Sequence, residues 1–219
     1  MKLIKENITF NDIEVLTEGS GADKRLHIKG PFLQAEKVNR NNRVYPQGIM
    51  DKAVNKYIKE YVNKNRALGE LNHPAEPIVN PERAAIMTTS LKKNGVFYEG
   101  IAKVLTTPMG KIVQNLLDDG VTIGVSSRGL GSLKQHNEGY NEVQSDFIIT
   151  TAADVVFDPS AQTAFVEGIM EESEWIYESG MFRHIELHEQ RDIINNTKKR
   201  HLQEAKLRLW KKLCHELSI

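Results

Sequence analysis

The sequence predicts an α+β fold: a mostly antiparallel sheet flanked by helices over residues 1–166, followed by a helical, charge-segregated tail over 167–219. Three observations predict it. Short alternating apolar runs such as "LHIKGPFLQAEKV" read as half-buried strands. "AAIMTTSLKKNGVFYEGIAKVL" is two apolar runs joined across Asn94-Gly95, a strong hairpin signal, which makes neighbouring strands antiparallel. Beyond about Phe165 the character changes: "VEGIMEESEWIYES" holds five glutamates and no Lys or Arg, whereas residues 191–212 hold eight Lys or Arg against two acids.

Taken in order, Ile8 to about Val38 reads as short strands. "NRNNRVYP" (39–46) is too rich in Asn and Arg to be an element, and Pro46 starts a helix with Ile49, Ala53, Tyr57 and Tyr61 at helical spacing, Val54 and Ile58 beside them. "RALGELNHPAEPIVNPERA" (66–84) carries three prolines and reads as an irregular loop, long enough to be functional. After the hairpin, "TPMGKIVQNLLDDG" is a short helix opened by Pro108 and closed by Gly120. "VTIGVSSRGLGSL" begins as a strand and runs into small polar residues, "KQHNEGY" turns, and "FIITTAADVVF" (147–157) is a strongly β-prone run. In the tail, Leu202, Ala205, Leu209, Leu213 and Leu217 follow helical spacing and predict an amphipathic basic helix.

With 219 residues, 40% hydrophobic and 26% charged, the chain is long and apolar enough to bury one substantial core. Lys plus Arg and Asp plus Glu are 29 each, so no net field draws it to nucleic acid or a membrane. Nor do the first 166 residues show the basic stripe with interleaved aromatics of a nucleic-acid binder. Cys214 is the only cysteine, which rules out an intrachain disulfide and fits a reducing compartment. "MKLIKENITFNDIEVL" lacks the unbroken apolar core of a signal peptide, and no run reaches the roughly 18 apolar residues of a membrane span. A cytoplasmic protein is expected.

The stretch "GVSSRGLGSL" (124–133) poses the chemical question. A serine attacks only when a base takes its proton and fixed donors meet the oxyanion. Ser127 is the candidate nucleophile and Ser126 its competitor, with Gly129 and Gly131 able to bend the following backbone so that its amides face one point. The plain alternative is a Gly/Ser turn between strands. His73, held between Asn72 and Pro74, is the candidate base, against the bland reading of a surface histidine. Asp154 lies among Ala153, Val155, Val156 and Phe157. As a buried carboxylate it needs a partner, either His73 or a structural arginine or backbone group. A metal site is disfavoured: Glu70 and His73 share a Gly/Pro loop with no second His or Cys at ligand spacing. No phosphate-binding or dinucleotide loop occurs, so no cofactor is expected.

"AEKVNRNNRVYP" (35–46), "ALGELNHP" (67–74), "GVSSRGLGSL" (124–133) and "ADVVFDPSA" (153–161) occur in the same order as in the prohead, or procapsid maturation, serine proteases of tailed phages with contractile tails. The likeness runs through most of the first 166 residues. That family is distantly similar in fold to the herpesvirus assemblins, so the resemblance implies a partly closed, barrel-like sheet. It implies a serine endopeptidase inside the immature capsid, within the host cytoplasm, whose substrates are scaffold or core proteins and the major capsid protein. His73 would be its general base, Ser127 its nucleophile and Asp154 the third member, where assemblins use a second histidine that this chain does not offer. Arg128 and Gly129 would border the oxyanion hole.

Relatives of this type cut after Glu in Leu/Ile-x-Glu, and a pocket for that carboxylate calls for arginine. Arg40, Arg43, Arg83 and Arg128 are the candidates. The tail itself holds the pattern four times, ending at Glu171, Glu178, Glu189 and Glu204, so self-cleavage of an inhibited zymogen is expected. A docking helix for scaffold is the alternative use of the tail, and a non-catalytic core protein with the same fold is the alternative function. The assembly state is left open, a homo-oligomer included.

Overall fold

The computed structural model describes residues 2–8, 13–18, 25–72, 74, 76–156, 173–178 and 181–186. The first strands are β1 (Lys2–Ile8), β2 (Glu14–Glu18), β3 (Arg25–Gln34) and β4 (Arg43–Val44), followed by α1 (Gln47–Glu60) and β5 (Leu68–Glu70). Next come β6 (Ala84–Asn94), β7 (Phe97–Val104), α2 (Pro108–Asp118), β8 (Gly124–Gly131), β9 (Leu133–Gln135), β10 (Asn141–Val143) and β11 (Ile148–Val156). The tail contributes β12 (Ser173–Glu178) and β13 (Met181–Glu186).

One sheet runs β2-β3-β7-β6-β5 and a second runs β1-β8-β11; β4-β10-β9 is a small third, and β12-β13 is a hairpin. Pairing is antiparallel except between β4 and β10. Alternation explains β3, whose residues run buried and half-buried in turn, because one face meets the core and the other does not. Ile28, Phe32, Ile86 and Tyr98 from the larger sheet join Val125, Ile149 and Val155 from the second in a single hydrophobic cluster. The barrel-like expectation is corrected: among the described residues no barrel closes. The second sheet meets the β5 side of the larger one through one parallel bridge, Leu71 to Val155.

The helices follow their sequence signals. α1 buries Met50, Ala53, Val54 and Tyr57. α2 is capped by Thr107, whose Oγ1 accepts from the Gly110 amide at 3.2 Å, with Pro108 behind it. The β6–β7 turn falls one residue later than Asn94-Gly95: Asn94 pairs with Phe97, and Gly95 takes the left-handed φ of 61° that a first turn position demands of glycine. The tail departs from its helical expectation at β12–β13. The run Trp175, Ile176 and Tyr177 is β-branched and aromatic, which favours a strand over a helix when a partner is at hand. The expected basic helix over Leu202 to Leu217 lies outside the described residues.

A polar cluster ties α1 to the hairpin. Asp51 Oδ1 accepts from Tyr98 Oη at 2.7 Å and Oδ2 from Lys93 Nζ at 2.8 Å, while Gln47 Nε2 donates to Tyr98 Oη at 2.6 Å. The Lys93 bond first, then the Tyr98 bond, hold the Asp51 carboxyl below its ordinary value of 3.8. A lowered folded value contributes stability above pH 3.8 that is lost as the pH falls through it. The side chain is about one-third exposed, so solvent screens the pair and the effect is small. Asp51→Asn should lower the melting temperature at pH 7 by a few degrees, and the gap from the parent should close as the pH is taken below 3.8. Calorimetry across pH 2–7 checks both (about 1 kcal/mol shifts a chain of this size by 2–4 °C).

Candidate active site

β8 is the central strand of the second sheet, and every residue from Gly124 to Gly131 is buried. The expected turn of small residues is therefore a strand paired on both sides. Alternation sends the side chains of Ser126 and Arg128 to one face and that of Ser127 to the other, the face on which Gly129 has none. Ser126 is 0% exposed and Ser127 5%, so both are buried and Ser127 is the less completely enclosed. Opposite it β11 bulges: Arg128 pairs with Thr151 and Ser126 with Asp154, leaving Ala152 and Ala153 against the single residue Ser127. Tyr57 of α1 braces that bulge by a hydrogen bond to the Ala152 backbone, and burial pushes its phenol far up.

Gly129 and Gly131 do not bend the chain, since neither has a left-handed φ. They make room instead. A Cβ on Gly129 would stand 2.4 Å from Phe147 Cε2, and one on Gly131 would stand 3.2 Å from Phe147 Cδ2. Phe147 meets Tyr45 edge-on, with ring centroids 5.1 Å apart. Tyr45 closes the "NRNNRVYP" motif, whose asparagines build a self-bonded turn: Asn39 Oδ1 accepts from the amides of Asn41 at 3.0 Å and Arg43 at 2.9 Å. Asn42 adopts φ 55° and donates from Nδ2 to the Gly139 carbonyl at 2.7 Å. The motif thus supports β8 from below.

Arg128 and Gly129 lie in a strand paired on both sides. An extended strand sends successive N–H groups to opposite sides, so the amides of Arg128 and Gly129 do not converge on one point. Nor does the Arg128 side chain face Ser127; it lies on the opposite face, fully buried. Its Nε donates to Asp154 Oδ2 at 2.6 Å and its Nη2 to Asp154 Oδ1 at 3.0 Å, a bidentate pair. Nη2 also donates to Glu70 Oε2, and Nη1 to the Glu76 carbonyl. With all this committed, Arg128 is removed from the candidates that read a substrate carboxylate.

Asp154 has Arg128 as a partner. Its Oδ1 further accepts from the Glu70 amide at 2.8 Å, and it shares the face of Ser126 and Arg128, away from Ser127. His73 itself lies outside the described residues. Its neighbour Asn72 is fixed: the amide donates to the Val155 carbonyl at 2.9 Å and φ is 66°, a left-handed bend that asparagine tolerates. Val155 pairs with Val125 on β8. Asn72 therefore stands two strand spacings, roughly 10 Å, from the strand that carries Ser127.

Arg40 is exposed on the asparagine turn, and Arg43 is half-buried in β4. Arg83 is exposed in the 3-10 turn Pro81–Arg83, where its carbonyl accepts from the Leu71 amide at 3.2 Å. Glu178 ends β12 opposite Met181, while Glu171, Glu189 and Glu204 lie outside the described residues. Among the described residues no group of three or more His, Cys, Asp or Glu is placed to hold a metal. Sequence reasoning weighed Glu70 only as a metal ligand. Its signal was arithmetic: a buried arginine beside a buried aspartate leaves donors that a second acid can take.

A family profile described as prohead core protein serine protease matches residues 11–174. The prohead core protein protease of Enterobacteria phage T4 is 45% identical over 149 residues, covering 67% of this chain and 70% of that protein. Among solved structures, the bacteriophage T4 capsid assembly protease, gp21, superposes with a TM-score of 0.66 at 38% identity, covering 72% of this chain and 98% of the other.

Proposed function

This chain belongs to the prohead core protein serine protease family, and from that premise we propose that it is the serine endopeptidase of a viral prohead, with Ser127 as nucleophile and His73 as base. The observation that carries the reading is the placement of Ser127. It is the less completely buried of the two serines of a central strand paired on both sides, two strand spacings from Asn72, which leads into His73. Ser127 Oγ bonds to the scissile carbonyl carbon as the His73 imidazole accepts its proton. The C–N bond then breaks and the leaving amine takes that proton; water repeats the sequence to release the acid. Asp154 acts at one remove, by fixing the Glu70 amide that leads into the His73 segment.

The substrates are scaffold or core proteins and capsid protein within the prohead, in the host cytoplasm, cut after Glu in Leu/Ile-x-Glu. Of the remaining arginines Arg83 is favoured to bind that Glu, because its backbone is bonded to Leu71, two residues before His73. A fluorophosphonate probe tests the nucleophile. Peptide mapping should find the label on Ser127, and a label on Ser126, or none, would overturn the assignment.

The same specificity supports processing of the tail after Glu171, Glu178, Glu189 or Glu204. Intact-mass measurement during incubation should show C-terminal fragments leaving at these residues in the parent protein and not in Ser127→Ala. A tail that stays whole in a preparation that cuts other substrates removes this part of the reading.

A further inference from the structure

We infer that Arg128, Glu70 and Asp154 form a positioning device: a buried ionic clasp that sets where the 71–80 loop, and with it His73, stands relative to Ser127. The inference rests on the protease reading and adds residues to that site. One guanidinium reaches two described points of this segment directly and a third through Glu70. It bonds Glu70 at the loop's start and the Glu76 carbonyl in its middle, and Glu70 Oε1 accepts from the Asn80 amide at 3.1 Å near its end. The strand to which the clasp is anchored is the one that carries Ser127, a single residue before Arg128.

The cluster is a costly way to hold a protein together. Both ion-pair contacts are fully buried, with one positive group against two carboxylates, and well-packed apolar residues stabilise such sites as well or better. What ions do that apolar side chains cannot is fix direction, because Arg presents a planar fork that holds a carboxylate at two points. Leu71 alone of the loop's described aliphatic side chains packs against the core, and Ile78 is exposed, so apolar contact does little to hold the loop in place. Here it is instead bonded at three points, Glu70, Glu76 and Asn80. General-base transfer needs heavy atoms within hydrogen-bond reach, and an error of about 1 Å costs on the order of 100-fold in rate.

The test uses the full chain. Arg128→Lys keeps the charge and loses the fork; Glu70→Gln keeps the shape and loses a charge. Each should lower kcat about 100-fold on a peptide of residues 173–184 while KM changes less than about twofold, and slow fluorophosphonate labelling of Ser127 equally. A role in stability alone would lower the melting temperature and leave kcat of the folded fraction unchanged, and that result in either variant overturns the inference. Amide exchange in the parent protein gives a second reading that needs no variant. The amides of Glu70, Asn72 and Asn80 should exchange with those of β11 as one unit, and loop amides exchanging more than about 100-fold faster would show that nothing is clasped. If the parent itself is not labelled at Ser127, the protease reading fails instead, and the exchange result still decides whether the loop is held.

Discussion

Ser127→Ala is expected to reduce peptide-bond cleavage by four to six powers of ten, the range seen when a nucleophile is removed from a serine protease. The fold should survive. The change deletes one oxygen, and among the described residues no group bonds to that hydroxyl, so no described donor or acceptor is stranded in the core. Ser126→Ala is the informative companion. Ser126 faces the Asp154 side of β8 and is fully buried, so its loss should leave cleavage within about tenfold of the parent, the cost of a modest local adjustment. Both variants are compared by initial rates on one peptide and by urea melts. Full activity in Ser127→Ala would return the question to Ser126.

Gly69→Ala should be severely damaging for the addition of a single methyl group. An added Cβ would lie 1.9 Å from the Ala153 carbonyl oxygen and 2.9 Å from Ile86 Cγ1. The first neighbour is backbone within the β11 bulge, held in its sheet, and cannot step aside as a side chain could. β5 must move, and its movement pulls Glu70 N from Asp154 and Asn72 N from Val155. Overpacking alone costs about 1–3 kcal/mol, and opening a buried ion cluster about 3–5 kcal/mol more. A fall of at least about 3 kcal/mol in unfolding free energy is the expectation, much of what a domain possesses. Gly48→Ala provides the contrast: nothing lies within 4 Å of its Cβ, and in a helix the exchange should be neutral or gain up to about 1 kcal/mol. A Gly69→Ala protein as stable as Gly48→Ala would refute the packing argument.

Local signals made much of this fold legible. Pro46 and Pro108 announce both helices, and the buried run around Asp154 reads directly as a strand. β1 was hidden because Lys2, Lys5 and Glu6 interrupt its pattern; it is a strand because β8 offers it a register, which no local window contains. β5 was hidden inside a loop with three prolines, since three residues are too few to show a period. At the site, residue types were readable and faces were not. Ser126 and Ser127 differ by one position, and only the pairing of β8 says which looks toward Arg128 and which away. Gly129 showed the other limit: its missing side chain was read as freedom, whereas Phe147, nearly twenty residues later, occupies the space.

β8 takes one neighbour from residues 2–8 and the other from residues 148–156. At synthesis speeds of 5–20 residues per second, roughly 7–30 s separate the emergence of those two partners from the ribosome. The strand bearing Ser127 cannot be flanked on both sides until the last of them is out. Any activity that depends on the assembled second sheet therefore arrives late in elongation, once residues 148–156 have emerged.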